Sequence, residues 1–187
     1  MMENDNVYWQ APIWRSKVAP IQALETPLRT VVEHVIALYT AATVRQSSSA
    51  ACETYSRHAM YDSPACITFS QFCILALSAL LRSLSSEVKV HAAPVTVYEP
   101  DPKTQTFQLV VPMLHRWYGP FFITRLLRFL GRSDPAWTLH FTTSLLISTI
   151  TGKVVAHQDR VREFPRTPTF LRLILGACIP ALSLGVL

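Results

Sequence analysis

The chain has 187 residues, a length that suits one domain and allows a sizeable core. Half of the residues are hydrophobic and only 16% are charged, which is apolar for a domain of this size. The formal net charge of +5 suits an anionic surface, but no recognition motif and no dense basic stripe with interleaved aromatics is present, which argues against nucleic acid as partner.

In chain order, residues 1–20 carry Tyr8, Trp9, Trp14, Pro12 and Pro20, and read as an extended N-terminal arm that packs its aromatics on the domain or on a membrane. Residues 21–164 form the domain proper. Thr26-Pro27 offers an N-cap followed by proline at the first helical position. From there Leu28, Val31, Val32, Val35, Ile36, Leu38 and Tyr39 recur at helical spacing, predicting a helix to about Val44. Ser47-Ser48-Ser49 recaps the chain for a short second helix over roughly Ala50–Arg57, with His58 at its end. Residues His58–Pro64 read as a brief strand ending in a turn. A third helix beyond Ser70 is apolar nearly all round and therefore buried.

After Ser85-Ser86 the hydrophobic period becomes two. Glu87–Tyr98 reads as one strand and Glu99–Lys103 as a turn. Thr104–Tyr118 is a second strand with Phe107, Leu109, Val111, Met113, His115 and Trp117 on one face. Residues 118–133 interrupt the meander as an amphipathic insertion bearing Arg125, Arg128 and Arg132 on one side; it suits a lid or an interfacial helix. Trp137–Ile150 is a third strand with Leu139, Phe141, Thr143, Leu145 and Ile147 on one face. Thr151-Gly152 turns the chain into a last strand, Lys153–Val161. Residues 165–187 form a hydrophobic tail, apolar beyond Arg172 but too short and too interrupted by Pro180 for a full span; it either lies on a membrane or packs as a helix on the domain.

Three helices followed by a four-stranded meander make an α+β domain whose sheet must curve around the helices into a cone. Two stretches carry a family likeness. Tyr55-Ser-Arg-His-Ala-Met-Tyr-Asp-Ser-Pro64 and Thr151-Gly-Lys-Val-Val-Ala-His-Gln-Asp-Arg160 resemble the helix-to-strand passage and the final hairpin of the nuclear transport factor 2-like superfamily, which includes ketosteroid isomerase, scytalone dehydratase and SnoaL-type polyketide cyclases. The likeness spans about residues 24–162, and the chain is similar to fungal members with a hydrophobic C-terminal extension. It implies a cone-shaped roll with a curved antiparallel sheet of about four long strands on three N-terminal helices. It further implies a cofactor-independent cyclase, isomerase or dehydratase acting on a hydrophobic polyketide or terpenoid intermediate of secondary metabolism. In ketosteroid isomerase-like members the residue before the proline is the carboxylate base. Here that position is Ser63, and Asp62 precedes it, so Asp62 reaches the pocket only through a local bulge.

The period-two faces place His115 inward. If the valine-bearing face of the last strand is also inward, Val155, His157, Asp159 and Val161 share it, and Asp159 can orient the imidazole of His157. The expected catalytic set is His157 as base, Asp159 as orienting carboxylate, His115 and Tyr61 as donors, and Asp62 in reserve. The alternative is that His157 and Asp159 form a structural hydrogen-bond network and His115 is a core histidine. No metal-ligand spacing links the six histidines and four cysteines, and five scattered glycines supply no phosphate loop, so no cofactor or metal is expected. The cysteines read as reduced thiols.

The expected partners are a hydrophobic small-molecule substrate and a membrane surface touched through residues 118–132 and 169–187, with a homodimer through the sheet as a further arrangement. The acidic N-terminus lacks a secretory pattern, which places the chain in the cytoplasm or on the cytoplasmic face of an intracellular membrane. A non-catalytic lipid- or partner-binding module, or a structural protein that dimerises through its sheet, fits the same pattern.

Overall fold

The computed structural model describes residues 16–40, 43–83, 85, 87–119, 136–164 and 166–183. The aromatics Tyr8, Trp9 and Trp14 of the arm, and nearly all of the amphipathic insertion 118–133, lie outside these residues.

The first helix, α1, spans Thr26–Thr40 and buries Val31, Val32, Val35, Leu38 and Tyr39 along one stripe. The second, α2, spans Val44–Thr54 and not Ala50–Arg57, because Thr43 caps it by accepting from the Gln46 amide at 3.3 Å. The serine run therefore lies inside the helix. His58 is not at a helix end; it is exposed on a strand, β2, that runs Tyr55–Asp62. The third helix, α3, spans Gln71–Ser83, and its start is marked by Ser70, held at φ 94° with its hydroxyl accepting from the Cys73 amide.

The sheet is larger than a four-stranded meander. Its strands are β1 (Ser16–Ala19), β2, β3 (Ile67–Phe69), β4 (Glu87–Ala92), β5 (Val95–Tyr98), β6 (Thr106–Tyr118), β7 (Ala136–Ser148) and β8 (Val154–Val161). They run in the order β1-β5-β6-β7-β8-β2-β3, and β4 also pairs with β6. The pairing is antiparallel except between β2 and β8, which are parallel. The single strand expected over Glu87–Tyr98 is split in two at Ala93-Pro94, since proline has no N–H to give the ladder. Both pieces still pair with β6.

Two irregularities aim the side chains of the site. Between Val154 and Ala156 the β7–β8 register shifts, so Val154 pairs with Ile147 and Ala156 with Leu146. Val155 is the extra residue, and it is Val154 that is fully buried, as His157 and Asp159 are. A second shift in β2, between Tyr55 and Met60, lets both Tyr55 and Tyr61 oppose inward-facing residues of β8. The inward faces of β6 and β7 are those expected: Leu109, Val111, Met113 and His115 stand opposite Leu145, Thr143, Phe141 and Leu139.

The tail folds as a helix, α4 (Thr169–Ser183), packed against α3 and β3. Gly176 makes this possible: a Cβ there would stand 1.7 Å from the carbonyl oxygen of Ile67. No helix among the described residues is long and apolar enough to cross a membrane.

Candidate active site

Asp159 is the centre of a polar cluster inside an otherwise apolar core. It has no solvent exposure, and its two oxygens accept four hydrogen bonds. Oδ1 accepts from Thr143 Oγ1 at 2.6 Å and faces His157 Nε2 at 3.0 Å. Oδ2 accepts from Tyr61 Oη at 2.8 Å and from the hydroxyl of Tyr39. Strand pairing brings these groups together: Thr143 is the cross-strand neighbour of Asp159, and Tyr61 that of His157. Tyr39 comes from the last turn of α1, which lies across the sheet.

Burial by itself pushes the Asp159 carboxyl upward. The neighbouring His157 and the hydrogen bonds from His157, Thr143 and Tyr39 outweigh it, and the carboxyl is held well below the usual range. The phenols respond in the opposite sense. Burial, then the charge of Asp159, raises Tyr39, Tyr55 and Tyr61 well above the ordinary tyrosine value, so all three stay protonated.

His157 is saturated at both ends. Its Nδ1 is 2.6 Å from Tyr55 Oη and its Nε2 meets Asp159, so neither nitrogen is left to reach a ligand. The structure thus joins His157 to Asp159 as expected, but in a closed network with no lone pair on His157 pointing elsewhere.

His115 is different. Its side chain is fully buried, and neither ring nitrogen has a hydrogen-bond partner among the described residues. It stacks on Phe141 with ring centroids 4.0 Å apart and meets Tyr39 edge-on at 4.7 Å. Burial lowers it from 6.5 to about 4, against the upward pull of Asp159, so the imidazole is neutral near pH 7. Two residues along the same face of β6, Trp117 Nε1 is buried and likewise unpartnered among the described residues. Buried polar atoms without partners are rare, and each calls for a reason.

Asp62 lies elsewhere. It pairs with Gln158 across the strands, on the opposite face of β2 from Tyr61. There it accepts from Gln158 Nε2 at 2.9 Å and is ion-paired to Arg166 at 3.2 Å and to Arg172 of α4. No bulge re-aims it toward Asp159, and its two arginines hold it in the tail junction, which removes it as a reserve base. Ser63 beside it caps the turn by accepting from the amides of Ala65 and Cys66. The structure therefore brings together His115, Tyr61, His157 and Asp159, and adds Tyr39, Tyr55, Thr143 and Trp117. Tyr39 and Tyr55 were concealed in the sequence because each continues an apolar helical or strand pattern. Among the described residues, no group of three His, Cys, Asp or Glu side chains could hold a metal ion.

The sequence matches no family model and no curated protein. Solved structures do match. A proposed SnoaL-like polyketide cyclase from Shewanella denitrificans superposes with a TM-score of 0.53 at 11% identity, over 75% of this chain and 93% of that one. A second, from Shewanella putrefaciens, gives 0.52 at 13% identity over 76% and 83%. A proposed scytalone dehydratase from Novosphingobium aromaticivorans gives 0.52 at 8% identity over 72% and 80%. At such identities the likeness is one of architecture. The described chain is an α+β cone with the nuclear transport factor 2-like fold.

Proposed function

We propose that the protein is a cofactor-independent enzyme that moves a proton within a hydrophobic substrate, by isomerisation, cyclisation or dehydration, with His115 as the proton carrier. The observation that carries this reading is the pair of nitrogens, unpartnered among the described residues, on a fully buried, neutral His115 beside the Tyr39–Asp159 contact. A neutral imidazole accepts a proton from a substrate carbon or hydroxyl and returns it at a second position, to a carbon, an alkoxide or a departing hydroxyl. Protons balance within the substrate. The imidazolium formed on the way is stabilised by the charge of Asp159, whose effect on His115 has that sign. His157, Thr143, Tyr61 and Tyr39 keep that carboxylate ionised and fixed. Trp117 Nε1, a donor only, suits a carbonyl oxygen of the substrate.

The activities proposed for the similar solved structures, polyketide cyclase and scytalone dehydratase, are chemistry of this class. A polyketide or terpenoid intermediate of secondary metabolism is the substrate class that fits the apolar surroundings of His115, where Phe141, Met113 and Val111 line the same face. The second reading, a binding module without turnover, is favoured by the closed His157–Asp159 network, which is as well satisfied as a structural core would be. Metabolite profiling of a host deprived of the chain separates the two. The enzyme reading expects a precursor to accumulate and to be consumed when purified protein is added; a precursor left unchanged by the protein supports the binding module.

A further inference from the structure

Helix α4 has its polarity reversed. The ridge that packs against the domain is Arg172, Gly176 and Ile179, while Phe170, Leu171, Leu173, Ile174 and Leu175 are between 41% and 62% exposed. The helix thus buries its charged residue and turns its large apolar side chains outward, the opposite of what water selects. Two contacts hold it in this roll: the Arg172–Asp62 ion pair and the close approach of Gly176 to Ile67. Phe69 and Phe72, on the two elements that α4 packs against, are also more than half exposed and widen the apolar surface.

We propose that this outer face of α4 lies in the interfacial region of an anionic phospholipid bilayer. Three features choose lipid over a protein surface. First, apart from the Cys178 thiol, the described outward positions of the helix offer no hydrogen-bonding side chain, whereas protein interfaces carry about one hydrogen bond per 100–200 Å². Second, Arg160 and Arg162 are exposed on the approach to the helix in a chain of net charge +5. The acids nearby are already engaged, Asp62 by two arginines and Glu163 by His140 at 2.5 Å. Third, the fifteen described residues of the helix span about 22 Å, short of the roughly 30 Å hydrocarbon core, a length that suits lying along the surface. The docking rests on this face alone and is independent of the chemistry at His115.

Flotation of the purified chain with vesicles of phosphatidylcholine, with and without phosphatidylserine, tests it. Wild-type protein is expected to float with the mixed vesicles. The variant Phe170→Glu/Ile174→Glu, altered only at exposed positions, is expected to keep its melting temperature and lose binding by about tenfold or more. Arg162→Glu is expected to weaken binding to the mixed vesicles by about fivefold and to leave binding to pure phosphatidylcholine unchanged. Wild-type protein that stays out of both vesicle types, or double-variant protein that floats as well as wild type, overturns the proposal. So does a wild-type dimer that becomes monomeric in the double variant while neither floats; the face would then join two copies of the chain.

Discussion

Tyr39 meets the ring of His115 edge-on, centroids 4.7 Å apart, and donates a hydrogen bond from its hydroxyl to Asp159. Among the described residues, this contact links a neutral histidine with no hydrogen-bond partner to a carboxylate with four. It is made between the last turn of α1 and the central strands β6 and β8, elements distant in sequence. The charge that stabilises a transient imidazolium is therefore part of the core, and its removal has consequences for stability as well as chemistry.

Replacing His115 by Phe removes two unpartnered polar atoms and keeps the ring stack on Phe141. Unsatisfied buried polar groups cost about 1–3 kcal/mol each, so His115→Phe is expected to be at least as stable as the parent. Urea denaturation of the two proteins measures this; a loss beyond about 2 kcal/mol would reveal hydrogen bonds to His115 that the structure lacks.

Asp159→Asn presents an amide with one acceptor oxygen to donors that occupied two. The expected loss is about 3–5 kcal/mol, in the range found for breaking buried charged pairs. The accompanying pH effect has a definite sign. The folded carboxyl lies below its unfolded value, so its contribution is fully present above about pH 4 and is lost as pH falls further. Thermal melts of wild type and variant should converge toward strong acid.

His115 adds a second pH dependence at higher pH. Its folded value is about 4 against 6.5 unfolded, so the unfolded chain binds the extra proton first. Its contribution is complete above about pH 6.5 and declines as pH falls toward 4. The stability difference between wild type and His115→Phe is expected to change across this window and to be flat above it. A difference independent of pH from 4 to 7 would mean that His115 titrates normally in the fold.

The junction of tail and domain makes a distinct prediction. Asp62→Asn leaves Arg172 buried without its anion and is expected to cost about 3 kcal/mol, with α4 becoming sensitive to proteolysis near Thr167. Arg172→Met is expected to cost less, because Asp62 keeps Arg166 and Gln158. Limited proteolysis and denaturation of both variants check the order, and the reverse order would place the important charge on Arg172.

The fold was legible where one face of a strand is buried and the period is two. The alternations of β6 and β7 are uninterrupted, so both inward faces, including His115 and Thr143, follow from the sequence. Legibility failed where an extra residue shifts the register: the bulge at Val155 moves the buried valine to Val154, and no local signal separates the two. The split of β4 from β5 did have a signal, Pro94, which gives the ladder no N–H. The short strands β1 and β3 are set by pairing with β5 and β2, and stretches of four and three residues carry too little period to be read. In the site, the His157–Asp159 spacing was visible, but the saturation of His157 was not, because Tyr55 comes from a strand over a hundred residues earlier. Arg172, the lone charge of helix α4, is buried against Asp62, an acid more than a hundred residues earlier that nothing in the tail itself points to.

The most direct measurement is turnover of the accumulated precursor by His115→Phe, taken beside its denaturation midpoint. The expected midpoint is at or above that of wild type, with turnover lowered by about 10²–10⁴-fold, the range of general acid–base catalysis. A stable His115→Phe protein with undiminished turnover would contradict it.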